Sequence, residues 1–490
     1  MDGTHAIAIL PFADMSPQKD QEYFCDGLAE ELIAALRNVE RLRVVPRTSS
    51  FRFRGSGLGI REIGKQLNVD CVVEGSVRKS GDKLRIMLSL INIEDELPIW
   101  SERYDRELAE VFAIQDEISQ GIVRRLKLTF TTEEAGRPEE APQVPEPAER
   151  TPAPPAAVLN QPQSIEAYEQ YLRARFEWNK RAPESVRRSI ELFKNAIIEY
   201  PDYALAHAGL ADAYVTLAIY GDTAPTEILP AAMQSAETAI GLRPELAEAH
   251  TSLACVLAVF DWKWTDAIQR FQHAIALDPK YLTARQWLAM HCLAPLGRFG
   301  EAREQIESAR KNDPDSLVIR MTSAVEYYFE RDFEKASQEC REILETDPGF
   351  AMAHYFLGQA DLQLNLNEKA ILELEKAVAL TGRSAETIAV LGYAHSVAGS
   401  KIDAVQLAME LTRRSIQGYV SPVLQAQIRI GLGDLDSVFQ YLENAYVARS
   451  TDLIWIGVRP TMDAVRSDPR FQDLCGRMGL PGSGMIAKPL

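Results

Sequence analysis

The residues from Gly59 to Gln66 have the spacing of a phosphate-binding loop, with Gly64 and Lys65 at the expected positions. Such a loop also needs a Ser or Thr hydroxyl directly after the lysine to bind magnesium, and Gln66 occupies that position. Ile60, Ile63 and Leu67 fall on one face of a helix, whereas a phosphate cradle is a loop that precedes a helix. The sequence therefore argues against nucleotide binding here, and no cofactor is predicted.

Histidines and cysteines are the next candidates for catalysis or metal binding. His207, His250 and His354 each lie three residues before a leucine at one offset of a repeated unit. Equivalent positions in stacked units do not converge on one point, so these histidines are predicted to pack between helices. The six cysteines are far apart and form no CxxC pair, which indicates buried thiols in a reducing compartment. No catalytic residue and no metal site is predicted, and the chain is not expected to be an enzyme.

The stretch Phe51–Gly57 alternates aromatic and basic residues. Such a pattern could stack nucleic-acid bases or bind an anion. It also fits an extended edge segment, with Phe51 and Phe53 facing inward and Arg52 and Arg54 facing solvent. We favour the edge segment.

Composition excludes several classes of protein. The chain has 490 residues, of which 46% are hydrophobic and 25% charged, as is typical of globular domains. Its formal net charge is −17 and it has no dense Lys/Arg block, so nucleic acid is not expected to be a direct partner. The sequence contains no run of about 18 apolar residues, which is the length needed to span a bilayer. We expect a cytoplasmic protein, or a periplasmic one if the chain is part of a membrane-anchored regulator.

A proline-rich segment divides the chain. Eight prolines fall between Thr131 and Gln163 among Glu and Ala residues. Such a segment buries too little surface to offset its ordering entropy, so residues 131–163 are predicted to be an extended linker. Two separately folded parts are expected on either side, and proteolysis is expected to cut first between them.

The part before the linker, residues 1–130, has the pattern of a small α/β domain. His5–Leu10 is a continuous apolar run, typical of a strand covered on both faces. Helical periodicity follows over Gln21–Val39, and Cys71–Val77 with Leu84–Ile93 form a predicted hairpin around Ser80-Gly81-Asp82. A short strand, a second helix and a last helix complete the order β-α-β-α-β-β-α.

The part after the linker repeats itself. Pro244, Pro279, Pro314 and Pro348 are spaced by 35, 35 and 34 residues. A small residue precedes each of these prolines by 12 positions, and this series continues at intervals of 34 residues to Val438. This pattern resembles the tetratricopeptide repeat, in which small residues let two antiparallel helices approach closely. About eight units are predicted over 164–452, beginning near Ser164, Ala204, Ala247, Leu282, Leu317, Ala351, Ala385 and Tyr419, with residues 453–490 as a carboxy-terminal cap and tail that shields the last repeat. The expected fold class is thus a small α/β domain followed by an all-α solenoid.

The amino-terminal part also resembles a TolB-like domain of the kind that precedes tetratricopeptide repeats in bacterial signalling proteins. The matching strings are Ala8–Pro17, Asp20–Leu36, Ile60–Asp70, Val73–Ile86 and Trp100–Leu108. In such relatives the two domains follow an effector, which is a winged-helix DNA-binding domain, a nucleotide cyclase or a protein kinase. Only Met1–Thr4 precede the match here, so no residue of this chain inherits an effector's activity.

Two functions follow from these patterns. The first is a non-catalytic scaffold or adaptor in bacterial signalling that binds a protein segment in the concave groove of the solenoid. The second is the sensory or regulatory portion of a larger transcription regulator, cyclase or kinase. In the tetratricopeptide family the first helix of each unit lines the groove, and this register places there Gln286, Met290, Met321, Val325, Tyr328, Met352, Tyr355, Gln359 and Tyr393. This surface is apolar and adaptable and lacks a basic clamp, so an apolar or amphipathic segment is the expected partner. The alternative is that these side chains pack against neighbouring helices. The oligomeric state is left open.

Overall fold

The computed structural model describes residues 5–134, except 38 and 40, and residues 164–481. It contains two compact units, one of Met1–Lys180 with Glu191–Leu205 and the other of Arg181–Ile190 with Ala206–Leu490. Most of the predicted linker lies outside the described residues. Its first four positions, 131–134, are the end of a helix.

The first unit contains a six-stranded mixed sheet. Its strands are β1 (His5–Ile9), β2 (Ala13–Asp14), β3 (Leu42–Val44), β4 (Cys71–Ser80), β5 (Lys83–Asn92) and β6 (Pro98–Glu107). The order is β3-β1-β4-β5-β6, with β2 paired to β4. β1 runs parallel to β3 and β4, whereas β4, β5 and β6 form an antiparallel meander. The predicted turn between β4 and β5 is present, and Gly81 there has a φ of 58°, which favours glycine.

Helices cover this sheet, as the apolar periodicity predicts. They are α1 (Glu22–Arg37), α2 (Arg47–Ser50), α3 (Ile60–Gln66) and α4 (Val111–Glu134). α3 occupies the phosphate-loop-like string, so that string is a helix and not a phosphate cradle. The same unit also includes the helix Ile165–Asn179, which packs against α1.

The edge-segment prediction for Phe51–Gly57 is wrong. Phe51–Phe53 form a 3₁₀ turn directly after α2. The turn brings Arg54 to Glu22 of α1 at 2.6 Å and to Asp26, so the arginine forms ion pairs while its side chain remains 36% exposed.

Eight helical hairpins follow one another in the described residues after position 164. Their helices are Ile165–Asn179 and Pro183–Glu199, Ala204–Tyr220 and Pro225–Leu242, Ala247–Val259 and Trp264–Leu277, Leu282–Leu288 and Phe299–Asn312, Leu317–Phe329 and Phe333–Thr346, Ala351–Gln363 and Asn367–Leu380, Ala385–Val397 and Lys401–Gln417, and Pro422–Leu432 and Leu435–Val447. We number these hairpins as repeats 1 to 8. In repeat 4 the first helix continues into a π-helical turn, Ala289–Leu293.

Small side chains stand where the paired helices meet. Ala267, Ala302, Ala336, Ala370 and Ala404 are all completely buried. Because an alanine adds little bulk, the two helices of each hairpin can pack at short range, which is the reason for the 34-residue periodicity. Beyond repeat 8 the chain forms two 3₁₀ turns, Thr451–Trp455 and Pro460–Val465, and a last helix, Pro469–Arg477.

None of the helices in the described residues combines the length and the apolar character needed to cross a bilayer.

Candidate segment-binding groove

The chain's own carboxy-terminal residues lie against a face of the second unit to which repeats 2, 3, 4, 5 and 8 contribute contacts. We call this face the groove, and we call Thr451–Val465, the two 3₁₀ turns with the residues between them, the resident segment. The segment contacts repeats far from it in sequence. Thr451 donates a hydrogen bond to the carbonyl of Ala218 in repeat 2, at 3.2 Å.

Trp455 is the largest anchor of the resident segment. Its indole Nε1 donates to the carbonyl of Met290 at 2.9 Å, and its ring lies 5.7 Å from the His291 ring. Both partners belong to the π-helical turn of repeat 4. A π turn leaves main-chain carbonyls without their usual helical donor, so it offers an acceptor that the indole uses.

Apolar side chains along the segment continue the contact. Val458 is completely buried in one cluster with Tyr328 and Tyr355, and Met462 is completely buried in a second cluster with Ala254 and Cys255. The first 3₁₀ turn of the segment contacts the first helix of repeat 3, and the second contacts the first helix of repeat 8. Burial of the segment supplies the hydrophobic stabilisation that an external ligand would otherwise provide.

Charged groups fasten the segment at its far end and in its middle. Arg331, which follows the first helix of repeat 5, donates to Asp463 with 2.7 Å between Nη2 and Oδ1. Arg459 is only 6% exposed. Burial lowers the pKa of the Arg459 guanidinium, but the field of Tyr355 and then of Asp452 and Glu386 raises it above its ordinary value.

The pKa values of the carboxyl groups of Glu386 and Asp452 are shifted by burial and by the charge of Arg459. Burial raises the pKa of Glu386 and of Asp452, whereas the nearby Arg459 charge lowers both and partly offsets this effect. Asp452 also accepts a hydrogen bond from the Ser421 hydroxyl at 2.7 Å. Arg459 is thus a buried cation in the field of these carboxylates and tyrosines, and its Nη1 has no hydrogen-bond partner among the described residues.

Seven of the nine groove residues predicted from the register belong to the cluster that contains Val458 or pack against it; these are Met290, Met321, Val325, Tyr328, Met352, Tyr355 and Tyr393. Met321, Val325, Tyr328, Tyr355 and Gln359 are buried, and Gln286, Met290, Met352 and Tyr393 are half-buried. Tyr328 donates to Gln359 at 3.3 Å, and Gln286 donates to Thr322 at 3.1 Å.

The sequence pattern does not predict the groove contacts of Trp455, Val458, Arg459 and Met462. It predicts only that their region is a cap that shields the last repeat. The region does contact repeat 8, since Arg470 lies over the Phe439 ring at 3.8 Å, but it also extends across the groove. The available signal was the run Leu453–Val458, whose apolar residues follow no helical period.

The histidines pack as the register predicts. His250 and His354 each contact the carbonyl of the proline six residues earlier, at 2.7 Å to Pro244 and 3.1 Å to Pro348. They therefore link the start of one repeat to the end of the previous one. All six cysteines are buried and free, and the described residues hold no group of His, Cys, Asp and Glu that could bind a metal ion.

Family models match three parts of the chain. Residues 3–121 match the second domain of the HilA/YgeH-like transcriptional regulators. Residues 263–324 and 322–385 match tetratricopeptide repeats, so the middle of the solenoid consists of such repeats. The amino-terminal match is to a HilA-like domain, and the TolB-like resemblance stays a prediction.

The chain is also similar to a curated protein of Rhizobium meliloti (strain 1021) that carries the provisional name adenylate cyclase 3. The two are 31% identical over 274 residues, which is 55% of this chain and 42% of the relative. The chain thus spans less than half the length of the curated relative that it matches.

Solved tetratricopeptide structures are similar at low identity. A tetratricopeptide repeat protein from Parabacteroides merdae is 13% identical with a TM-score of 0.40, and the match covers 55% of this chain and all of that protein. The human IFIT1 dimer with PPP-AAAA is 14% identical with a TM-score of 0.43, and the match covers 58% of this chain and 72% of that one.

Proposed function

We propose that this chain is a non-catalytic protein-interaction scaffold whose groove binds an apolar or amphipathic protein segment. The observation that carries the proposal is that the groove already holds a segment of the chain itself, built of two 3₁₀ turns. The surface therefore accommodates a compact polypeptide segment, with an acceptor for an indole at Met290 and apolar contacts around Tyr328 and Tyr355.

The resident segment indicates what a partner would offer. It presents an aromatic anchor at Trp455, an apolar side chain at Val458 and a single cation at Arg459. The charges of Glu386 and Asp452 favour the cation, but Asp452 belongs to the segment itself, so Glu386 is the carboxylate that the groove contributes. A partner segment with an aromatic residue followed by a cation would satisfy the same positions.

A partner that uses these positions competes with the resident segment. Its apparent affinity equals the intrinsic affinity of the open groove multiplied by the fraction of molecules in which the groove is open. A change that weakens the resident segment should therefore strengthen binding in trans. A peptide with the sequence of the resident segment can therefore serve as the probe for binding to the groove.

The test uses a labelled synthetic peptide of residues 451–467 and the full chain, with binding followed by fluorescence anisotropy. Trp455→Ala removes the indole anchor and opens the groove more often, so we expect this variant to bind the peptide at least about tenfold more tightly than the wild type. Trp264→Ala is the matched control, since Trp264 also donates to a main-chain carbonyl, that of Met478 at 2.7 Å, but lies outside the resident segment. Circular dichroism verifies that both variants remain folded.

Equal, negligible binding by all three folded proteins would refute a segment-binding groove. Peptide binding that is stronger in Trp455→Ala but unaffected by Tyr328→Ala or Tyr355→Ala in that background would place the peptide elsewhere on the molecule. Either result would leave the repeats as scaffold without the proposed groove.

A second candidate function is the regulatory portion of a larger protein. It is supported by the match of residues 3–121 to the second domain of a transcriptional regulator and by the relative of which the chain covers only 42%. The effector would then be a DNA-binding domain, a cyclase or a kinase, as the TolB-like resemblance also implies. An antibody against the first unit, applied to cells of the source organism, would detect a polypeptide larger than 54.7 kDa if this function is correct.

Partners and location remain part of the proposal. We propose protein partners and no direct nucleic acid, because the net charge of −17 opposes binding to phosphate. A bacterial cytoplasmic location accords with free, buried cysteines.

A further inference from the structure

The second helix of repeat 7, Lys401–Gln417, carries an exposed apolar stripe. Ile402, Val405, Met409 and Ile416 are between 43% and 82% exposed. Their spacings of three, four and seven residues place them on one side of the helix. An aligned apolar row on an outward face differs from singly scattered surface residues and indicates a contact surface.

Comparison between repeats shows that the stripe is specific to repeat 7. The positions equivalent to Met409 in repeats 6, 5 and 4 are Glu375, Arg341 and Glu307, each 34 residues apart and each exposed. The positions equivalent to Ile402 in repeats 6 and 5 are also exposed glutamates, Glu368 and Glu334. The second helices of repeats 3 to 6 have 14 residues, whereas this helix has 17, and the extra turn carries Ile416.

We propose that this stripe is a dimerisation surface, on which the same helix of a second copy of the chain packs in antiparallel orientation about a two-fold axis near Met409. Two-fold contacts place the same patch of both copies face to face. In that arrangement Ile402 of each copy meets Ile416 of the other, because both lie seven residues from Met409.

The charges beside the stripe favour a second copy and fix its direction. Arg413 is exposed, lies one turn after Met409, and has no hydrogen-bond or ion-pair partner within the described part of the chain. Asp403, whose carboxylate lies 4.0 Å from His395 Nδ1 of the same repeat, is six residues before Met409. An antiparallel partner therefore brings its Asp403 within about 3 Å, along the helix axis, of Arg413. A parallel partner would instead oppose two Arg413 side chains. The stripe is therefore complementary to itself only in the antiparallel direction.

The size of the stripe sets the expected strength. Stable interfaces bury about 800 Å² on each partner, and one helical stripe offers less. We therefore expect a dimer in the micromolar range, whose population depends on protein concentration.

Sedimentation velocity of the full chain between about 1 and 200 µM tests this surface. The wild type should shift from monomer to dimer over this range, and Met409→Glu with Ile416→Glu should remain monomeric throughout. Val447→Glu, on the second helix of repeat 8, is the matched control because Val447 is 78% exposed and lies outside the stripe; this variant should dimerise like the wild type. A wild type that stays monomeric at the highest concentration, or a dimer that survives the double substitution, would overturn the proposal.

Cysteine cross-linking tests the position of the two-fold axis. Met409→Cys should form an intermolecular disulfide on oxidation, since the axis brings the two copies of this position together, whereas Glu375→Cys at the equivalent position of repeat 6 should not. The native cysteines are buried and do not compete. Arg413→Glu should weaken the dimer at least about threefold, and adding Asp403→Arg should restore it, because the pair is exchanged. Equal cross-linking at both positions, or no rescue by the charge exchange, would contradict the antiparallel arrangement.

Discussion

Arg459 shows how a single side chain can hold a segment in a largely apolar interior. It is 6% exposed, and its guanidinium would be costly to bury without compensation. Glu386 from repeat 7 and Asp452 from the segment itself supply the compensating charge. The Nη1 of Arg459 has no hydrogen-bond partner among the described residues, so desolvation offsets much of the favourable interaction with these charges and the arginine adds little to the stability of the fold.

Glu326 is a buried carboxyl group that stands apart from this cluster. It lies in the first helix of repeat 5, is 4% exposed, and its Oε1 has no hydrogen-bond partner among the described residues. Burial, helped by the nearby Glu330, raises its pKa from 4.5 to about 8. The folded protein therefore retains a proton here that the unfolded chain has lost, and stability should fall as the pH rises from 4.5 to about 8.

Glu326→Gln should remove this pH dependence. Each pKa unit corresponds to about 1.4 kcal/mol, so the variant should be more stable than the wild type by a few kcal/mol at about pH 8.5 and nearly equal to it below about pH 5. Urea unfolding at several pH values measures the difference. Glu334→Gln is the control, because that glutamate is exposed in the same repeat. Parallel pH profiles for wild type and Glu326→Gln would show that Glu326 is ionised at neutral pH.

Residue roles inside the repeats were predictable where the register defined them. His250 and His354 occupy one offset, and both contact a proline carbonyl six residues earlier. Arg459 belongs to no repeat, so no equivalent position indicated that it would be buried. The ion pairs of Arg54 with Glu22 and Asp26 also could not be predicted from the sequence, because they depend on the position of a 3₁₀ turn in the folded chain.

At the scale of elements, regular periodicity was the reliable signal. The buried alanines at 34-residue intervals predicted the helical hairpins because that interval is one complete repeat. β6 was missed, since along Pro98–Glu107 only Trp100 and Tyr104 are buried and the intervening residues are polar, as befits an edge strand. The π turn at Ala289–Leu293 has no sequence pattern of its own and follows from the packing around it.

The helix Ile165–Asn179 belongs structurally to the first unit, although its sequence assigns it to repeat 1. Leu172 packs directly over Gly27 of α1, where a side chain would not fit without displacing it. Asn179 donates to Glu30 at 2.9 Å, and Gln115 of α4 donates to Tyr168 at 2.5 Å. The helix Ile165–Asn179 therefore makes both apolar contacts and hydrogen bonds with two helices of the sheet domain, α1 and α4.

Cleavage of the chain within residues 135–163 should therefore leave its two pieces associated. A protease site introduced in this range, followed by gel filtration, should give one co-eluting complex for the wild type. Leu172→Glu should separate the pieces, because it places a charge in the contact with α1, whereas Leu172→Met should not, because it preserves the apolar volume. Separation of the wild-type pieces would show that the contact is too weak to hold the helix in place.

At the scale of the whole molecule, composition and repeats together gave the fold class but not the state of the groove. A net charge of −17 and the absence of a basic block pointed away from nucleic acid, and the repeats pointed to a helical surface. Occupation of that surface depends on contacts between residues about 120 to 230 positions apart, such as Thr451 with Ala218 and Trp455 with Met290. Local periodicity contains no information on pairings at such separations.

The central claim is that the groove binds polypeptide segments and that Thr451–Val465 is its resident occupant. Arg331 and Asp463 form the ion pair that fastens the far end of this segment, at 2.7 Å. Replacing both with cysteine and bridging them with a short bis-maleimide would fix the segment in place, since the native cysteines are buried and should not react. The same double variant treated with N-ethylmaleimide is the unbridged control.

Binding of the 451–467 peptide to these two preparations is the most direct measurement. The account predicts that the bridged protein binds the peptide at least about tenfold more weakly than the unbridged control, because the resident segment can no longer leave the groove. Equal binding by the bridged and unbridged proteins would contradict it, because the peptide would then bind without any displacement of the resident segment.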